Sequence, residues 1–218
     1  MRYQDQLFQQ RESAILDAAL QLFSEQPWDR VTIAQVAIAA GIGKGTVYKH
    51  FPSKEALYTQ LAARLAQDHL AALHATKAAQ PAGQALRPVT RLAFEHMLNT
   101  PLLAQLSHHC DRPEFQERLE PAFREQFQQI EGAYTLFFQD LLRDSLSHLN
   151  LNDDECMQLL WGVEACFNGV MARIAAGGFS HWAEPVALHD YFDCVTDFII
   201  AGLCGQANAL RATAASHE

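Results

Sequence analysis

The sequence predicts an all-α protein, with a small N-terminal three-helix head followed by a larger C-terminal helical body. Three observations predict it. Apolar residues recur every three or four positions along most of the 218 residues, the period of a helix with one buried face. Gly and Pro cut that pattern into pieces of helix length. N-cap residues stand where several of the pieces begin.

From about residue 9 to 26, Ile15, Leu16, Ala19, Leu22 and Phe23 form the first stripe, which Pro27 ends. The polar residues 1–8 are expected to be loose. Trp28 and Val31 then fill a small core. Thr32 is an N-cap with Gln35 three residues on, a capping box, and the short helix that follows buries Val36 and Ala37. Gly41, free to adopt positive φ, ends it. A second short helix runs from about 43 to 49, with Val47 inward and Lys44, Thr46, Tyr48, Lys49 and His50 outward. Phe51 and Pro52 break the chain, and Ser53 caps a long helix rich in Ala and Leu that reaches about residue 79. This is the layout of a helix-turn-helix, whose second helix enters the DNA major groove.

Pro81, Ala82 and Gly83 end the long helix and mark the best domain boundary, giving a head at 1–52, a connecting helix at 53–80 and a body at 81–218. In the body, Pro88 starts a helix holding Val89, Leu92, Ala93, His96 and Met97, and Pro101 starts another with Leu102, Leu103 and Leu106. Arg112-Pro113 interrupts, and a short helical turn reaches Leu119. Phe123, Phe127, Ile130, Tyr134, Phe137 and Leu141 then alternate by four and three, a core-facing seam over about 121–148. Residues 150–153 break it, with Asn152 or Asp153 as the next cap. Two helices close the chain. One, about 154–176, carries Cys156, Leu159, Leu160, Val163, Phe167, Val170, Met171 and Ile174, and is ended by Gly177-Gly178. The other, about 185–203 from Pro185, carries Leu188, Tyr191, Phe192, Val195, Phe198, Ile199 and Gly202. The Ala-rich tail after Gly205 is expected to fray. Each closing stripe is wide enough to pack on more than one neighbour; the alternative is a monomer that buries both internally.

The segment AGIGKGTVYKHFPSKEAL resembles the signature of the TetR (tetracycline-repressor-like) family of bacterial transcription regulators, through Gly41, Thr46, Val47, Tyr48, Phe51, Ser53, Lys54 and Leu57 in that order. The motif-level resemblance covers roughly residues 11–61. It implies a cytoplasmic homodimer, paired through the last two helices and bound to an inverted-repeat operator in double-stranded DNA. The long helix would bridge head and body, so that its tilt sets the spacing of two reading heads. It also implies DNA contacts at Thr32, Lys44, Gly45, Thr46, Tyr48, Lys49, His50 and Lys54. By chemistry, Lys44 suits guanine O6 or N7 and the Thr46 methyl suits a thymine methyl, whereas Tyr48, Lys49, His50 and Lys54 suit phosphates. Two positions depart from the pattern. Gly43 stands where a capping Ser is common, and Ala34 where many relatives carry a polar residue.

Charge is consistent with such a head. The net charge is −9, yet residues 1–60 hold six basic and six acidic side chains, so the surplus lies in the rest. Lys44, Lys49 and Lys54 fall in a stretch whose sole acid is Glu55, a local sign that suits phosphate. No apolar run has membrane-span length and residues 1–10 lack a signal-peptide core, so a cytoplasmic location is expected, with no membrane partner.

The body resembles an effector-binding domain. Phe94, Met97, Phe115, Phe123, Phe127, Phe137, Trp161, Glu164, Phe167, Asn168 and Met171 are its candidate lining, suited to a small apolar or amphipathic ligand such as an acyl chain or hydrophobic drug; equally, most are core. No GxSxG, P-loop, HExxH or GxGxxG occurs, so neither an enzyme nor a cofactor is expected. His108-His109-Cys110-Asp111 reads as a polar helix end, because consecutive helical side chains point about 100° apart and rarely share one metal. Cys110, Cys156, Cys166, Cys194 and Cys204 contain no CxxC and are expected to be buried small hydrophobes, although the last two helices would set Cys156 near Cys204 and Cys166 near Cys194. Three functional classes remain: a ligand-released repressor, a ligand-free regulator acting through a protein partner, and a helical-bundle enzyme or carrier that would leave the head residues unexplained.

Overall fold

The structure, a computed structural model, describes residues 3–176 and 188–215, and every regular element among them is helical. In order these are α1 (Tyr3–Glu25), α2 (Ile33–Ala39), α3 (Lys44–His50), α4 (Lys54–Ala78), α5 (Leu86–Asn99), α6 (Pro101–Cys110), α7 (Pro113–Gln116), α8 (Pro121–Ser145), α9 (Asp153–Ala175) and α10 (Leu188–Ala215). Short 3-10 turns occupy Trp28–Arg30 and Ser147–Leu149. No helix among the described residues is long and apolar enough to cross a membrane. The chain divides into two compact units, Met1–Arg64 with His109–Phe127, and Leu65–His108 with Gln128–Glu218.

In the first unit Ile15, Ala19, Val36, Val47, Phe51 and Leu61 are buried and hold α1 to α4 together. The α1 helix begins at Tyr3, six residues before the expected start. The polar stretch is helical because Phe8, two turns before Ile15, has a ring to rest on: its centroid lies 4.1 Å from that of His50. Trp28 is half-buried, and its ring meets Tyr58 and His109 edge-on at 5.0 and 4.8 Å. His109 also touches the ring of Phe115 at 5.0 Å, so the polar helix end expected at His108–Asp111 has one imidazole inside an aromatic cluster. Beyond it, the Arg124 guanidinium donates to the carbonyls of Gln116 at 2.8 Å and Leu119 at 3.2 Å, closing the end of α7. Phe115 is buried here, and Phe123 and Phe127 are half-buried; all three candidate lining residues belong to this unit.

The second unit has its own core, in which Phe94, Leu103, Leu141, Leu142, Leu159 and Phe192 are nearly inaccessible. Phe94 stacks on Phe192 at 5.8 Å with the rings 10° apart, tying α5 to α10. Arg87 donates to Asp197 at 2.8 Å and to Asp193 at 3.1 Å across the same pair of helices, and Arg91 joins Asp193 to Glu95. The α5 helix starts at Leu86, so Pro88 is its third residue, where a missing N–H has no intrahelical partner to lose. Of the seam on α8, Phe137 and Leu141 are buried, while Ile130 and Tyr134 are half-buried. The cap of α9 is Asn152: its Oδ1 accepts from the Glu155 N–H at 2.9 Å, and Glu155 Oε2 accepts from the Asn152 N–H at 2.8 Å.

The tail expected to fray after Gly205 is instead the last part of α10, which continues to Ala215. Ala207 is fully buried, and Arg211 is held by Glu155 and by the Asn150 carbonyl at 3.1 Å. The expected stop at Gly177-Gly178 and start at Pro185 lie outside the described residues, as do the side chains of Ile174 and Leu188. All five cysteines are free: Cys110 and Cys156 are buried, Cys166 and Cys204 half-buried, but Cys194 is exposed, contrary to expectation. Burial pushes the Cys110 thiol up to about 12, which leaves it a packing group.

Candidate nucleic-acid interface

The geometry of the head starts from two local devices. Thr32 Oγ1 accepts from the Gln35 N–H at 3.2 Å, and Gln35 Oε1 accepts from the Thr32 N–H at 2.8 Å, a complete capping box that fixes where α2 begins. At the other end Gly41 has φ +67°, its N–H donates to Ile38 O at 3.0 Å, and the Ile42 N–H donates to Ala37 O at 2.9 Å. That is a Schellman motif, and it turns the chain directly into α3. Val47, fully buried, locks α3 onto the core and leaves its opposite side outward.

On that outward side Lys44, Gly45, Tyr48 and Lys49 are exposed and Thr46 is half-buried. Lys44 Nζ stands 5.8 Å from the Tyr48 ring centroid, so these two side chains present one surface. Gly45 is unhindered: a Cβ there would meet nothing within 4 Å. Two expected contact residues have other engagements. The Lys54 ammonium donates to Asp29 O at 2.8 Å and lies 5.2 Å from the Tyr58 ring centroid, fastening the 3-10 turn to the start of α4. The Tyr58 hydroxyl completes that corner by donating to Trp28 O at 3.1 Å. His50 is half-buried under Phe8, its Nδ1 has no partner among the described residues, and burial followed by the nearby Arg11 charge lowers its pKa.

Sequence reasoning passed over two residues. Ile38 of α2 is 80% exposed, the most exposed large apolar side chain of the head. It is out of phase with Ile33, Val36 and Ala37, which was the available signal. Phe8 was legible in the same way, as a continuation of the Ile15 stripe at a spacing of seven.

The candidate effector lining is dispersed. A cavity of about 20 Å³, room for about one water molecule, lies in the second unit and is bordered by Phe94 and Phe167 together with Thr90, Phe138, Leu160 and Ile199. Met97, Phe137 and Met171 are buried in the core but do not border it. Trp161, Glu164 and Asn168 project outward from α9, with Trp161 61% exposed. No group of three His, Cys, Asp or Glu side chains suited to a metal occurs among the described residues.

Comparison with known proteins agrees with this geometry. Residues 15–61 match the family described as bacterial regulatory proteins, tetR family. The transcriptional regulator AcrR of Shigella flexneri is 38% identical over 53 residues, 24% of this chain and 25% of the relative. RutR of Escherichia coli is 32% identical over 96 residues, 44% of this chain and 45% of the relative. The chain thus spans less than half the length of these relatives. Among solved structures, FadR from Bacillus subtilis, in complex with stearoyl-CoA, gives a TM-score of 0.64 at 14% identity over 87% of this chain and 98% of that one. PfmR from Thermus thermophilus gives 0.62 at 17% identity, again over 87% and 98%. These likenesses show the fold beyond the head. Residues 15–61 thus carry the motif of the tetR family of bacterial regulatory proteins, within an all-helical fold that these solved structures share.

Proposed function

We propose that the protein is a DNA-binding transcriptional regulator of the cytoplasm, a homodimeric repressor released from a palindromic operator by a small apolar or amphipathic ligand. The observation that carries this reading is the outward face of α3: Lys44, Gly45, Tyr48 and Lys49 are exposed on a helix whose other side is anchored by Val47. Lys44 and Thr46 read base edges, Tyr48 and Lys49 take phosphates, and Gly45 lets the backbone approach the DNA. Thr32 offers the N-terminus of α2 to a phosphate, and Lys54 adds charge while holding Asp29. His50 contributes a neutral ring.

Residues 1–52 are the reading head, 53–80 the connecting helix and 81–218 the effector and dimerisation body. Pairing through α9 and α10 is supported by Trp161 and Phe198, 61% and 71% exposed, and by Gly162, Gly169, Gly202 and Gly205, at which an added Cβ would meet nothing within 4 Å. A two-fold dimer requires half-sites roughly 34–36 Å apart. Effector binding favours a head spacing that fails this requirement. The stearoyl-CoA held by the Bacillus subtilis relative supports an apolar or amphipathic effector for the body.

A second reading, a ligand-free regulator that recruits a protein partner, is favoured by the small size of this cavity, about 20 Å³ and far below the roughly 300 Å³ of ordinary ligand sites. One experiment separates these from each other and from failure. Sheared host DNA is selected on the purified protein at moderate salt and sequenced, then the bound fragments are challenged with long-chain acyl-CoA and fatty alcohols. Short inverted repeats released by one of these compounds support the first reading. Repeats that no such compound releases favour the second, and sequence-blind binding that disappears with salt overturns both.

A further inference from the structure

About three turns of α1 precede its first buried residue. The helix begins at Tyr3, and Ile15 is the first of its side chains to enter the core of the head. An overhang of that length without packing would fray. Phe8 ties it to α3: its ring centroid lies 4.1 Å from that of His50, the last residue of that helix. Phe8 keeps 48% of its surface open, so the contact holds the overhang in place without becoming core.

The same contact settles what the imidazole can offer. His50 Nδ1 is shut off from solvent and has no hydrogen-bond partner among the described residues. Orphaned buried N–H groups are rarer than under-satisfied acceptors, so the bare lone pair belongs on Nδ1 and the ring proton on Nε2. Burial first, and the Arg11 charge second, lower the pKa of His50, which keeps the ring neutral near pH 7. His50 therefore brings a phosphate one N–H and no charge.

Charge is what that position needs, because the carbonyls at the end of a helix make the local field negative. Arg11 can supply it. It follows Phe8 by three residues, a spacing that sets their Cβ atoms about 5–6 Å apart on neighbouring faces of the helix. Its side chain is exposed, and its charge is felt at the imidazole. Of the acids on α1, Asp17 is paired with Arg64 at 2.6 Å, Glu12 is half-buried with its pKa raised by burial, and Asp5 stands six residues before Arg11 on another side of the helix. A backbone phosphate has two unbridged oxygens, one to accept from the imidazole N–H and one from the guanidinium.

We propose that the overhang of α1 belongs to the DNA interface: Phe8 is a positioning residue that holds the His50 Nε2–H outward, and that N–H and the Arg11 guanidinium grip one backbone phosphate at the end of α3. This rests on the DNA-binding reading above. It adds to that reading a contact residue, Arg11, and the side chain that keeps it in reach.

The test uses the full chain and a mixed-sequence duplex DNA long enough for two half-sites, since a phosphate contact carries no sequence information. Affinity is measured over a series of salt concentrations. Arg11→Gln is expected to weaken binding several-fold and to reduce the salt slope by about 1, the loss of one phosphate contact. Arg11→Lys keeps the charge and should restore most of the slope. Lys77→Gln, in the second unit, changes the net charge equally and should leave the slope alone. Phe8→Ala should act like Arg11→Gln, and the two together should cost little more than either, because both remove one contact. Long-range 1H–15N spectra of the unaltered protein, with the His50→Gln spectrum to identify the resonance, should show His50 protonated at Nε2. An unchanged slope in Arg11→Gln, an equal reduction in Lys77→Gln, or a proton on Nδ1 would overturn the proposal; the arginine variants and the spectra decide it even if Phe8→Ala does not fold. Lys49→Gln separates the two readings. A slope reduced there but not in Arg11→Gln removes the overhang and keeps α3 as the reading helix, whereas an unaltered protein with no salt-dependent binding removes both.

Discussion

The Lys54 ammonium reaches back across the head to the main-chain carbonyl of Asp29, 2.8 Å away. One of its three donors therefore holds the 3-10 turn at Trp28–Arg30, and two are left for a phosphate. Lys54→Ala is expected to lower stability by about 1 kcal/mol and to weaken all DNA sequences alike, reducing the salt slope by about 1. Lys44→Ala should instead flatten preference among sequences with little change in stability. Urea unfolding and binding titrations at several salt concentrations read both effects; equal loss of preference in the two variants would remove the division of roles.

Gly45 lies inside α3 with open space where a side chain would be. Nothing in the fold itself requires glycine there. Gly45→Ala is expected to raise the stability of the free protein by about 0.5 kcal/mol, since Ala is the better helix former, while reducing operator affinity several-fold. A thermal melt and a DNA titration on one preparation check the opposed signs. Unimpaired binding would mean that the backbone does not approach DNA at this point.

At Gly41 the expectation is reversed. With φ +67° and no atom to meet a Cβ, the cost of Gly41→Ala is conformational and not steric. It should destabilise the protein by about 1 kcal/mol. Gly41→Asn, tolerated at positive φ, should recover part of that loss. Equal destabilisation by both would show that backbone strain is not the cause.

His69, buried in α4, makes stability depend on pH. Its native pKa of about 3 lies below the 6.5 of a free imidazole, so the unfolded chain takes up a proton that the folded one refuses. This group therefore contributes nothing above pH 6.5, and it lowers stability as pH falls from there toward 3, by at most about 1.4 kcal/mol per pH unit. Denaturant unfolding of the protein and of His69→Phe, compared from about pH 7 to about pH 4, should give curves that converge toward acid. Parallel curves would mean that the folded chain takes up this proton as readily as the unfolded one.

Asp193 accepts from both Arg87 and Arg91, and its other oxygen lies 3.2 Å from His189 Nδ1. Asp193→Ala would leave two guanidiniums without the anion between them. The expected cost is about 1–2 kcal/mol, above that of Asp197→Ala, whose single partner among the described residues, Arg87, is half-exposed. Chemical denaturation of the two variants ranks them, and a larger loss in Asp197→Ala would overturn the ordering.

Local signals made the head readable. Thr32, Gln35 and Gly41 act on their own neighbours through hydrogen bonds and φ, so the turn between α2 and α3 needs no distant contact to be inferred. Helix ends fixed by distant partners were less accessible. The start of α1 at Tyr3 goes with a ring on His50, and α10 reaches Ala215 where Arg211 meets Asn150 and Glu155, none of which periodicity reports. The lining of the body was the least legible part. Aromatic spacing marks a residue as apolar without saying which side receives it. Phe94 and Phe167 therefore came out on a cavity, Phe137 in solid core, Phe115 in the first unit and Trp161 on the outside.

The open glycines of α9 and α10 have a thermodynamic consequence. Each weakens its helix by up to about 1 kcal/mol relative to Ala, and no neighbour among the described residues makes use of the space it leaves. If a second chain fills that space, folding and association become a single equilibrium governed by mass action. Dilution alone then loosens the protein, its melting midpoint climbs with concentration, and the cellular copy number helps to set how much of it is folded.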